Sequence, residues 1–171
     1  MEQYVYMIIL GIDPGYAIIG WGVLEYKANK FRVIDYGAIT TDAHTDFAIR
    51  LQEIYVGMNQ LFDTYHPEVM SMEKLFFNNN QKTVIDVAQA RGVITLSAQM
   101  HNIPVCEYTP LQVKQSVTGY GRAVKKQVQE MTRVILGLEK IPKPDDTADA
   151  LAMAICHGHS SGSSLMNLYR K

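Results

Sequence analysis

The residues of this sequence best placed to do chemistry are acids at the ends of apolar runs. Asp13 closes the run Met7–Asp13 and is followed by Pro14-Gly15, while Glu73 closes a second run, Val69–Glu73. Asp145, Asp146 and Asp149 open a third segment whose next residues, Ala150 to Ile155, are all apolar. An acid ending a strand faces the crevice where α/β sheets place their ligands. On a helix, residues three apart share a face, so Asp146 and Asp149 can reach one point. Four such carboxylates make a hard-oxygen site suited to Mg2+ or Mn2+. Two ions about 4 Å apart can activate a water and stabilise the leaving oxygen of a phosphodiester. Each acid also has an ordinary reading: turn former before Pro-Gly, first solvated residue of a strand, or helix cap. Asp149, a turn inside an apolar helix, fits the ordinary reading worst. Asp145 lies as close to Asp149 around the helix as Asp146 does, but directly follows Pro144 and is placed to cap free amides.

The basic residues are concentrated elsewhere. Residues 1–66 hold eight acids and four bases, whereas residues 67–133 hold five acids and eight bases. Between Lys114 and Arg133 the bases Lys114, Arg122, Lys125, Lys126 and Arg133 meet only Glu130. A basic stretch beside an acidic site suits a phosphate-bearing substrate, although alone it is equally a solvated helix face. Gly119 and Gly121, between the lysines, would let backbone approach a phosphate closely. Phe76-Phe77 precede the polar Asn78–Asn80, where an exposed ring could stack on a base. His157 and His159 do not converge on a helix and are not expected to ligate metal.

Short apolar and β-branched runs predict strands at Met7–Asp13, Ile18–Tyr26, Phe31–Thr40, Val69–Glu73 and Ile103–Tyr108. Apolar residues at helical spacing predict helices over 47–65, 81–100, 110–117, 124–136 and 145–157. Three strands in a meander followed by alternating strands and helices imply one mixed α/β sheet covered by helices. The 171 residues suffice for one domain, with 47% apolar and 19% charged residues and a net charge of −1. Residues 1–6 read as an N-terminal extension, 7–159 as the folded domain and 160–171, rich in Gly and Ser, as a flexible tail. Two cysteines and no run approaching a membrane span point to a cytoplasmic protein without membrane association. The nine methionines and Trp21 read as core. Residues 81–100 are apolar around the whole axis, which predicts burial on more than one side, either against the sheet and a second copy of the chain or deep within one monomer.

Taken together, Ile9-Leu10-Gly11-Ile12-Asp13-Pro14-Gly15, Gly20-Trp21-Gly22, Glu73-Lys74-Leu75-Phe76-Phe77, Ala88-Gln89-Ala90-Arg91-Gly92, Tyr108-Thr109-Pro110, Val113-Lys114-Gln115 and Asp146-Thr147-Ala148-Asp149-Ala150-Leu151-Ala152 closely resemble the RuvC Holliday-junction resolvases. The resemblance covers about Met7 to His159. It implies a ribonuclease-H-like five-stranded sheet, with three antiparallel meander strands and two parallel ones. It also implies a homodimer and Mg2+-dependent symmetric nicking of four-way DNA junctions in recombination and repair. By resemblance, the metal-binding tetrad falls on Asp13, Glu73, Asp146 and Asp149, and the catalytic basic residues near the scissile phosphate fall on Lys114 and Lys125. The junction-stacking aromatic falls on Phe76, with Phe77, Lys74, Arg122 and Lys126 as further DNA-binding candidates. The branch-migration proteins RuvA and RuvB are the implied partners.

Three other functions compete. A non-catalytic junction-binding protein on the same fold is disfavoured because all four acids are present. An actin-like ATPase also opens with Gly-Ile-Asp-x-Gly, but it needs two such domains. A ribonuclease-H-like nuclease acting on another nucleic acid is disfavoured by the Phe-Phe segment and the motif match.

Overall fold

The computed structural model describes residues 6–75 and 81–161. Ten elements follow in order: β1 (Met7–Asp13), β2 (Ile18–Lys27), β3 (Lys30–Thr40), α1 (Phe47–Tyr65), β4 (Val69–Glu73), α2 (Gln81–Met100), β5 (Val105–Tyr108), α3 (Pro110–Thr118), α4 (Lys125–Leu136) and α5 (Asp145–Ser161). The strands form one sheet in the order β3-β2-β1-β4-β5. β1, β2 and β3 pair antiparallel, whereas β4 pairs parallel with both β1 and β5. This is the mixed five-stranded arrangement expected from the sequence.

Both faces of the sheet are covered, and the alternation of strand side chains separates two cores. Ile8, Leu10 and Ile12 of β1 pack with Ile54, Met58 and Phe62 of α1 and with Ile94 and Ala98 of α2. Ile9 instead joins Leu24, Tyr26, Val69 and the α5 residues Leu151, Ala152 and Ile155. Side chains two residues apart share a face, so Asp13 lies on the same face as Ile9 and Gly11, toward α5. Glu73 likewise follows Val69 and Ser71, whose hydroxyl donates to the Met153 carbonyl of α5 at 2.8 Å.

α5 comes unusually close to the sheet, and glycines permit it. A Cβ at Gly11 would lie 2.0 Å from the Ala150 carbonyl oxygen, and one at Gly20 would lie 1.9 Å from that of Asp146. Leu151 and Ile155 of this helix are fully buried, each contributing about 1.5–3 kcal/mol of burial. The hydroxyl of Thr147 donates to the Gly37 carbonyl at 3.0 Å, fastening the first turn of α5 to β3.

Several expectations need correction. The last helix continues to Ser161, so Ser160 and Ser161 are helical, held by hydroxyl bonds to the Cys156 and Gly158 carbonyls. β5 starts at Val105 rather than Ile103. Met100 and Met131 are exposed, the Met100 sulfur accepting from the Tyr55 hydroxyl at the edge of α1. α2 packs against α1 and the sheet through Ala90, Ile94 and Ala98, while Ile85 and Leu96 stand open, 66% and 57% exposed. That face is therefore not covered by the described residues of the monomer. Among the described residues, no helix is long and apolar enough to cross a membrane.

Candidate active site

Parallel pairing of β1 and β4 matches Ile12 with Met72, so Asp13 and Glu73 emerge from adjacent strand ends. They line a cavity of about 210 Å3 together with Asp149 of α5, Lys114 of α3 and Lys125 of α4. Pro110, Val113, Val128, Ala152 and Met153 complete its walls. α3 is started by Thr109, whose hydroxyl accepts from the Gln112 amide while the Gln112 side chain accepts from the Thr109 amide. α4 starts in a similar way, with the Gln127 side chain accepting from the Val124 amide at 2.9 Å. These caps fix where Lys114 and Lys125 begin.

Lys125 Nζ lies 2.7 Å from Asp149 Oδ2, and Gln129 Nε2 lies 3.4 Å from Oδ1 of the same carboxylate. Asp146 does not line the cavity, yet it is close enough to raise the pKa of Asp13. Asp145 is not a cap as expected. Its carboxylate accepts from Lys143 at the surface, and that hydrogen bond holds it below the ordinary range.

The electrostatics show an excess of negative charge. Burial first, then Asp149, Asp146 and Glu73, push the Asp13 carboxyl up to about 8, with only Lys125 opposing. Burial and Asp149 also raise Glu73, against Arg91, Lys114 and Lys125. The protein's own cations thus leave the acids undercompensated, and hard carboxylate oxygens fit a divalent cation. Among the described residues, no three acidic, histidine or cysteine side chains close on a common point, so the acids share the region without forming a finished cage.

A pH prediction follows. A raised carboxyl binds a proton in the folded state that the unfolded chain releases above 3.8. Metal-free stability should therefore fall as pH rises from about 4 to about 8, with no further loss from this group above that. Thermal melts in EDTA should show this slope, and Asp13→Asn should flatten it. Because a proton and a divalent cation would compete for this carboxyl, any stabilisation by an added divalent cation should grow over the same interval. An unchanged slope in Asp13→Asn would refute the assignment.

The other candidates are spread around the cavity. Lys74, Arg122 and Lys126 are exposed and outside its lining. Phe76 and Phe77 lie outside the described residues. Gly119 ends α3 with φ +72, and Gly121 makes room for Leu111, whose Cδ1 would lie 2.5 Å from an added Cβ. Gly119 therefore has a structural reason to be glycine that does not involve a phosphate, whereas the exposed Leu111 side chain could swing away from a Cβ at 121. His157 is buried and bonded to the Tyr108 hydroxyl at 2.8 Å, while His159 contacts Ser116, so the two histidines serve packing. Sequence reasoning missed Gln129, though its spacing of four from Lys125 placed both on one helix face. It also missed Arg91, whose guanidinium donates to the backbone carbonyl of Glu73.

A family model described as Crossover junction endodeoxyribonuclease RuvC matches residues 9–157, most of the chain. The chain belongs to the RuvC family. A relative from Clostridioides difficile (strain 630), a crossover junction endodeoxyribonuclease RuvC, is 59% identical over 155 residues, covering 91% of this chain and 92% of its own length. The structure of Thermus thermophilus RuvC is 33% identical, with a TM-score of 0.84, covering 91% of this chain and 95% of that one. A second structure, T. thermophilus RuvC in complex with Holliday junction substrate, gives a TM-score of 0.86 at the same identity, covering 91% and 94%. The chain has the ribonuclease-H-like sheet of the RuvC structures, and as a member of this family it is an endodeoxyribonuclease.

Proposed function

We propose that this chain resolves Holliday junctions by nicking two strands symmetrically, using Mg2+ held by Asp13, Glu73, Asp146 and Asp149. The observation that carries this reading is the cavity that brings two strand-end acids, the α5 acid and two lysines together. When bound, two Mg2+ ions (with Mn2+ as a substitute) supply an activated water and stabilise the leaving oxygen. The remaining work belongs to side chains. Lys114 presents a positive charge to the scissile phosphate, while Lys125 and Gln129 hold Asp149 in orientation. Val113, Val128, Ala152 and Met153 exclude water and so strengthen each charge interaction in the cavity. Lys74, Arg122 and Lys126, exposed around it, engage the DNA backbone.

The test is incubation with Mg2+ and either a synthetic four-way junction or a matched linear duplex. Symmetric nicks in the junction and little duplex cleavage are expected, and equal rates on both would defeat the proposal. Phe76 is assigned to stacking at the junction centre, with Phe77 beside it. Phe76→Ala should reduce junction cleavage about tenfold or more, from the loss of about 1–3 kcal/mol of stacking, with unchanged thermal stability. If Phe77→Ala does this instead, the two roles are exchanged.

A homodimer is assigned through the outward face of α2, because a two-fold pair would present two sites to a two-fold junction. Leu96→Glu places a charge on that face where the monomer makes no use of the side chain. Sedimentation should show dimers at micromolar concentration for the parent chain and monomers for the variant. A monomeric parent that still cleaves junctions would overturn this assignment. The reading includes cytoplasmic action with RuvA and RuvB.

A further inference from the structure

Arg91 sits near the middle of α2 with a side chain only 10% exposed, although its charge is permanent. A guanidinium withdrawn from water needs strong acceptors in compensation. Arg91 has two, both at strand ends. Nη1 donates to the backbone carbonyl of Glu73, and Nη2 donates to the Glu107 carboxylate. β4 and β5 pair in parallel here, with Met72 opposite Glu107 and Glu73 opposite Tyr108. The next residue along, Lys74, donates its amide to the Tyr108 carbonyl at 2.8 Å. The backbone at Glu73 is therefore held on its carbonyl side by α2 and on its following amide by β5.

We propose that Arg91 is a positioning residue for the nuclease, pinning the Glu73 backbone so that its carboxylate is aimed into the cavity. The proposal rests on the metal-binding role assigned to Glu73 above. The carbonyl and the Cα–Cβ bond of one residue are linked through its backbone torsions, so fixing the first restricts the second. Partners that orient a metal-binding side chain without touching the metal commonly change affinity or activity about 10–100-fold. The planar fork of arginine reaches two diverging acceptors at once, which the compact ammonium of lysine does not. A lysine at this position would supply charge without the fork.

Arg91→Gln and Arg91→Lys test this in the full chain. The readouts are thermal melting, junction binding in EDTA by gel shift, Mn2+ binding followed by the electron paramagnetic resonance of the free ion, and single-turnover cleavage. In Arg91→Gln, half-saturating Mn2+ should rise and the cleavage rate fall, each about tenfold or more, with junction affinity within about twofold of the parent. Arg91→Lys should remain impaired in both. Unchanged Mn2+ binding in either folded variant would overturn the proposal, as would junction affinity that falls in step with cleavage. Full recovery in Arg91→Lys would show that charge alone suffices and would overturn it too. If Arg91→Gln fails to fold, Arg91→Lys carries the same test. Should the parent chain fail to cut junctions, the nuclease reading falls, while the Mn2+ shift still decides the role of Arg91.

Discussion

Single replacement of Asp13, Glu73, Asp146 or Asp149 by its amide is expected to abolish Mg2+-dependent cleavage while leaving junction binding intact. Each amide keeps the shape of the side chain but removes a negative oxygen from a site whose fit to a cation rests on undercompensated charge. Loss of metal-derived stabilisation is worth several kcal/mol, or about 10³-fold or more in rate. DNA binding depends mainly on the surrounding cations and should improve slightly as an acid is lost. Asp145→Asn is the internal control. Its carboxylate is paired with Lys143 at the surface and lines no part of the cavity. That variant should keep most activity. Single-turnover kinetics and gel shifts on the five proteins settle the matter. A folded but inactive Asp145→Asn beside an active Asp146→Asn would reverse the assignment on α5.

Asp146 and Asp145 also show where sequence reasoning reached its limit. Helical geometry left both within reach of Asp149, and an expected capping role for Asp145 together with the resemblance chose between them. The structure distinguishes them by degree: Lys143 is the main partner of Asp145, which also feels Lys125 and Gln129, whereas Asp146 acts on Asp13. The strands bearing Asp13 and Glu73 were legible because each apolar run ends abruptly at its acid, with a turn signal after Asp13. Arg91 was not legible. Its acceptors lie 18 and 16 residues away and meet only through the parallel alignment of β4 and β5, which no local pattern encodes. The open face of α2 was legible only in part. An apolar helix predicts burial but does not say whether its own chain or another supplies the cover. Gln129 stood between these cases, visible by spacing from Lys125 yet without significance until Asp149 was placed beside it.

Gly20→Ala is expected to be nearly as damaging as loss of a tetrad acid, although it adds one methyl group and removes no charge. Gly20 lies on β2 opposite Asp13 of β1 in the register. The added Cβ would stand 1.9 Å from the Asp146 carbonyl oxygen and 2.8 Å from the Thr147 amide nitrogen. Neither neighbour is a flexible side-chain end that could swing aside; both are backbone of the first turn of α5. The helix start must therefore lift from the sheet, against the Thr147–Gly37 hydrogen bond and the buried contacts that follow. Overpacking of this kind costs about 1–3 kcal/mol, and here the rigid neighbour favours the upper end. The lift carries Asp146 directly, and a misplacement of about 1 Å in catalytic groups can cost about 10²-fold in rate. The expected result is a lower melting temperature, and in the folded protein a cleavage rate reduced about 10²-fold with junction binding in EDTA retained. A Gly20→Ala protein that matches the parent in melting and cleavage would mean that α5 does not need its close seat on the sheet to place Asp146.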